Sequence, residues 1–162
     1  LDVPLEDGRT MRVCDAHLSA FSYGDGTLAR QVAGVAERIA AAERDGVPLL
    51  VGGDFNALPP GDDPSRLGAE AAGMYEDDAP LRPLFHRSAI PLEAHADAPE
   101  RWRTWLPFGS DTADRAIDHL LVSPEVEVLD SAVLTGVTDA SDHLPLRFEL
   151  AVSRRSDTSR AP

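Results

Sequence analysis

The chain has 162 residues, 43% hydrophobic and 27% charged, which suits one globular domain with a real core. Its net charge of −13 repels polyanions at long range and argues against a broad basic face for duplex DNA, and no apolar run approaches the roughly 20 residues that span a bilayer. The single cysteine, Cys14, excludes an internal disulfide and fits a reducing, cytoplasmic setting.

Residues 1–5 lack the basic start and apolar stretch of a signal peptide. Residues 1–5 and 10–20 are predicted as two strands joined by a hairpin turn at Glu6-Asp7-Gly8-Arg9. Cys14 reads as a buried structural thiol, and His17, three positions on, falls on the opposite face of that strand. Residues 21–26 are a glycine-rich loop. Residues 27–44 are predicted helical, because Leu28, Val32, Val35, Ile39 and Ala42 form one apolar stripe, and Gly46 supplies a stop. Residues 47–52 form a continuous apolar run, expected of a strand buried on both faces. It ends in Gly52-Gly53-Asp54-Phe55-Asn56.

Residues 61–100 are rich in Pro, Asp and Ala and predict short helices and loops, with a helix near 65–73. Further strands are expected at 103–106, 116–122, 126–135 and 145–152. The polar tail, 153–162, is expected to be disordered. One strong helix among more numerous strands predicts a layered α/β sandwich with its chemistry on loops at strand ends.

Four places could carry that chemistry. Asp54 and Asn56, two residues apart after a buried strand, would project together, with Phe55 turned into the core; a simple post-strand turn is the competing reading. Ser141-Asp142-His143 sets a carboxylate beside an imidazole. Asp118 alternates with Leu120 and Val122, so it heads toward a core and needs a partner, for which His143 is the candidate. His119 points the other way and reads as structural. His17 closes the second strand. His86 and His95 read as surface residues.

In order, His17, Gly-Asp-Phe-Asn at 53–56, Trp105, Ile-Asp-His at 117–119 and Ser-Asp-His-x-Pro at 141–145 resemble the endonuclease/exonuclease/phosphatase superfamily over roughly residues 1–150. The resemblance implies a DNase I-like layered α/β sandwich in residues 1–152, represented by its C-terminal half to two-thirds. It also implies metal-dependent phosphoester hydrolysis by in-line attack of water. Asp54 would orient or deprotonate the water, or serve the leaving oxygen. Asn56 would hydrogen-bond the phosphate. Asp142 would bind Mg²⁺ or Mn²⁺, and His143 would contact the phosphate or activate water, its ring held by Asp118. His17 matches a second histidine at the phosphate, and Trp105 an aromatic near the substrate. The acidic charge leans toward a small phosphate ester over bulk nucleic acid.

One expected feature has no counterpart. The superfamily places an Asn strand and a metal-binding Glu before the histidine matching His17, whereas here only Glu6, in a turn, precedes it. The expectations are therefore a truncated domain with impaired activity, a second chain that supplies the rest, or an inactive half-domain that pairs with another protein through its exposed sheet. A zinc hydrolase built on His17, Asp54, His119 and His143 has no supporting spacing.

Overall fold

A computed structural model describes residues 1–21, 24–75, 79–136 and 141–153. The expected disordered tail lies outside these except for Ser153. A four-stranded sheet runs β1 (Asp2–Pro4), β2 (Thr10–His17), β3 (Leu49–Asp54), β4 (Asp118–Val122) in that spatial order. The β1–β2 and β3–β4 pairs are antiparallel, while β2 and β3 are parallel. Parallel pairing needs a crossover, and helix α1 (Thr27–Asp45) supplies it. Gly46 ends α1 in the left-handed conformation at φ 65, its N–H returning to the Ala42 and Glu43 carbonyls.

The apolar stripe of α1 packs on one face of this sheet. Leu28, Val32, Ile39 and Ala42 bury against Leu49, Val51, Phe55 and Leu121, with Cys14 half-buried beside them. Leu81, Leu84 and Phe85 complete this core. The second face carries Met11, Val13, Leu120 and Val122, all half-buried. A separate antiparallel pair, β5 (Val126–Val133) and β6 (Leu146–Val152), is bulged between Val128 and Asp130. It is tied to the β1–β2 turn by Arg9 Nη2 donating to the Ser153 carbonyl at 2.7 Å.

Between β3 and β4 the chain is mostly short turns. The helix expected near 65–73 is split into a 3₁₀ turn, Pro64–Leu67, and α2 (Ala69–Ala72), because Gly68 at φ 82 breaks the run. α3 (Leu92–Asp97) follows a second 3₁₀ turn, Arg82–Arg87.

Three expectations are corrected. Residues 103–106 form no strand; Trp105 makes only isolated bridges, to Arg115 and His143. His95 is buried, because α3 lays its ring against Phe85, His119 and Trp102, with ring centroids 5.6, 6.2 and 6.3 Å away. Asp118 does not face the main core. On β4 it is His119 and Leu121 that enter the core, while Asp118, Leu120 and Val122 lie on the half-exposed face. Alternation predicted which residues share a face; which face is covered was set by where α1 packs. No helix among the described residues is long and apolar enough to cross a membrane.

Candidate active site

Strand register builds the site. His17 lies beside Asp54 across the parallel β2–β3 pair, and Asp54 beside Asp118 across the antiparallel β3–β4 pair. Three polar side chains thus line one edge of the sheet, on the face away from α1. The strands can approach there because residue 53 is glycine. At φ 140, a Cβ on Gly53 would collide with the Ala16 carbonyl of β2. Gly53 is therefore a steric requirement of the β2–β3 contact.

Past Asp54 the chain turns sharply. Phe55 is fully buried, and its N–H donates to the Ile117 carbonyl at 2.9 Å. Asn56 takes φ 48, in the left-handed region that Asn tolerates. Its backbone N–H donates to Asp54 Oδ1 at 2.8 Å, so the turn reading and the paired side-chain reading both hold. The side chains meet through this turn and not through extended spacing. Asn56 Nδ2 donates to Asp54 Oδ2 at 3.0 Å and to the Leu18 carbonyl at 2.9 Å. Both amide hydrogens are thereby engaged, one by the Asp54 carboxylate and one by the Leu18 carbonyl.

Asp54 Oδ2 is the hub. His17 Nε2 lies 3.6 Å from it and His143 Nε2 3.9 Å. Behind His143, Asp118 Oδ2 accepts from Nδ1 at 2.8 Å, which presents Nε2 toward Asp54. His17 is largely exposed, whereas Asp54, Asp118 and His143 are mostly covered. Half-burial pushes the Asp54 carboxyl above its ordinary range. The Asn56 N–H and the two imidazoles offset this in part, and the neighbouring Asp118 charge adds to it.

His143 is itself positioned by the segment around Trp105. Leu106 N–H donates to the Asp142 carbonyl at 2.7 Å, and Leu144 N–H to the Thr104 carbonyl at 2.7 Å. Thr104 is fully buried, and its hydroxyl accepts from the Ile117 and Asp118 N–H groups at 3.4 Å each. Sequence reasoning missed Thr104, since a lone threonine in a loop carries no local signal. It also missed Arg115, whose guanidinium stacks on Trp105 at 4.0 Å from the ring centroid.

The remaining candidates fall elsewhere. Asp142 is exposed, and its carboxylate takes the Ser141 hydroxyl at 3.5 Å. His119 is buried, with Nε2 2.9 Å from the Ala57 carbonyl, a structural role. His86 is exposed. Trp105 is half-buried and lines a cavity that also touches Asn56. Among the described residues, no group of three or more His, Cys, Asp or Glu side chains is arranged to hold a metal ion.

An acid–imidazole constellation thus sits at the strand ends of a layered α/β domain. The chain belongs to the Endonuclease/Exonuclease/phosphatase family, whose profile matches residues 7–143. It is 30% identical over 146 residues to a UPF0294 protein of Yersinia pseudotuberculosis serotype O:1b (strain IP 31758), covering 90% of this chain and 45% of that one. Among solved structures it is similar to the Bacteroides thetaiotaomicron VPI-5482 mannosyl-6-phosphatase Bt3783, with a TM-score of 0.55, 19% identity and coverage of 91% and 54%. It is also similar to the human Nocturnin catalytic domain with bound sulfate anion, with a TM-score of 0.57, 20% identity and coverage of 91% and 49%. The DNase I-like fold is thus shown. The chain spans about half the length of the curated relatives it matches.

Proposed function

We propose that this domain hydrolyses phosphate esters, with the scissile phosphorus seated over Asp54, His17 and His143. The observation that carries the reading is the Asp54 Oδ2 hub, with an amide at 3.0 Å and two imidazole nitrogens at 3.6 and 3.9 Å. Anchored by Asn56, Asp54 holds a water in line with phosphorus and takes its proton. A carboxyl raised by burial accepts that proton more readily than an ordinary one. His143, its Nδ1–H engaged by Asp118, presents Nε2 to the phosphoryl oxygens or to the leaving oxygen. His17 adds a second nitrogen on the solvent side. Asn56 serves as a positioning residue, because both of its amide hydrogens are taken.

Members of the family are generally divalent-metal dependent. Magnesium or manganese is a hard ion suited to carboxylates, and Asp142 is the single ligand the proposal offers toward it. One exposed carboxylate is not a complete site, however, and the described residues do not group three ligands. The residues present do not fit the ion on their own, so no step is routed through it. The chain alone is accordingly expected to turn over weakly, and the cytoplasmic setting belongs to this proposal. A small phosphate ester is the expected substrate class, since the −13 charge opposes polyanions.

The test is hydrolysis of bis-p-nitrophenyl phosphate in Mg²⁺ by the chain and by Asp54→Ala. The reading predicts slow turnover that the substitution abolishes. Turnover indifferent to Asp54 would contradict it.

A further inference from the structure

We propose that the cavity beside Asn56, walled by Tyr75, Trp105, Arg115, Met74 and Ile117, is a subsite for an uncharged flat ring carried by the phosphate ester. The proposal rests on the phosphoryl-site reading above and extends it to the group attached to phosphorus. The cavity measures about 410 Å³ and shares Asn56 with the Asp54 hub.

The walls decide what fits. Among the described residues Arg115 is the cavity's one cation, and its charge is already met. Nε and Nη2 donate to the two Asp114 carboxylate oxygens at 2.6 and 2.9 Å, and Nη1 donates to the Tyr75 hydroxyl at 3.2 Å. Its Cζ lies 4.0 Å from the Trp105 centroid and 5.6 Å from that of Tyr75. Arg115 therefore stiffens two aromatic side chains and offers little to a second phosphate. Glu70, on the same wall, repels one. Much of the remaining lining is apolar.

Phe21 adds an independent sign. It lines the cavity, is 78% exposed, and holds φ 56, a left-handed conformation that a bulky residue rarely adopts. A strained backbone that leaves an aromatic ring in solvent at the rim of a cavity suits a ring that stacks there. A second cavity, about 290 Å³, also reaches Asn56, but Asp62 and Asp63 line it. Of the two, the Trp105–Arg115 cavity is the one matched to an uncharged planar group.

The experiment compares phenylphosphonate with methylphosphonate in excess Mg²⁺, read by calorimetry and by tryptophan emission. The chain has two tryptophans, and Trp102 is buried, so a change that vanishes in Trp105→Phe locates the ring. Phenylphosphonate is expected to bind at least about tenfold tighter than methylphosphonate, the scale of one ring's burial. Ala71→Phe, which fills the cavity from α2, is expected to bring that ratio to about one, and Ala69→Phe repeats the test from a neighbouring position. Thymidine 5′-monophosphate forms a third arm; tighter binding than phenylphosphonate assigns the ring to a nucleobase, and the reverse assigns it to a simple aryl ester. A ratio near one in the unaltered chain, or a ratio that survives both filling variants, overturns the subsite. His143→Ala, at a residue that does not line the cavity, judges the phosphoryl site separately, by whether it weakens methylphosphonate.

Discussion

Two pairs of histidines sit on this scaffold in opposite surroundings. His17 and His143 stand beside carboxylates at a partly exposed strand edge. His95 and His119 lie in an aromatic pocket among Phe55, Phe85 and Trp102. Burial, and after it the neighbouring His119, lowers His95 to about 4. His119 is likewise depressed, chiefly by burial. One strand feeds both regions, because Asp118 and His119 are consecutive and point to opposite faces. Residue type therefore does not mark the site; the partner across the sheet does. An imidazole beside a carboxylate can accept or hold a proton near a substrate, whereas one sealed among rings serves as a packing unit kept neutral.

Substitutions at consecutive positions of β3 and the turn after it sharpen this contrast most. Asp54→Asn should lower hydrolysis by about 10²- to 10⁴-fold, the range for a lost acid–base group. It should also raise the melting temperature slightly. A carboxyl raised in the folded state contributes stability that grows as pH falls through its window, so at neutral pH its charge is a cost. Phe55→Ala should do the reverse, losing about 3–5 kcal/mol in denaturant melts because a fully buried ring leaves a cavity. If the two substitutions behaved alike, edge and core would not be separate regions.

Acid should strike the aromatic pocket. His95 is depressed in the folded chain, so its neutral form contributes stability above the unfolded value of about 6.5. That stability should fall as pH drops from 6.5 toward 4 and be fully lost below it, a change of about 3 kcal/mol. His95→Leu should flatten the pH dependence of urea midpoints over that window. The smallest expected effect is a null one. Calorimetric titration of the chain with Mg²⁺ should give no saturable heat, since no three ligands converge among the described residues; a saturable isotherm would place a cation site that the geometry does not assemble.

Much of this was legible in short stretches. The stripe of α1, the apolar run of β3, the hairpin turn at 6–9 and the Gly-Asp-Phe-Asn, Ile-Asp-His and Ser-Asp-His segments are local patterns, and local patterns survive folding. Pairing of Asp118 with His143 was legible too, but from a premise the fold overturned: the alternation sent Asp118 toward a core, and the pair forms on the half-exposed face. What was not legible depends on distant segments. His95 is buried by Phe85 and Trp102, from separate turns, and no periodicity within 61–100 announces that. Thr104 earns its place by two hydrogen bonds to residues 117 and 118, and Arg115 by aromatic rings from positions 75 and 105. Both faces of β4 carry apolar residues, so only the packing of α1 decided which was core.

The central claim is that the edge histidines, and not the buried ones, meet phosphate. Inorganic phosphate titrated into the chain, followed through the five histidine ring signals by NMR, tests it directly. The account predicts that the His17 and His143 signals move together while His95 and His119 stay fixed, and that Asn56→Ala weakens the response. Shifts confined to His86, or no movement at His143 at saturating phosphate, would contradict it.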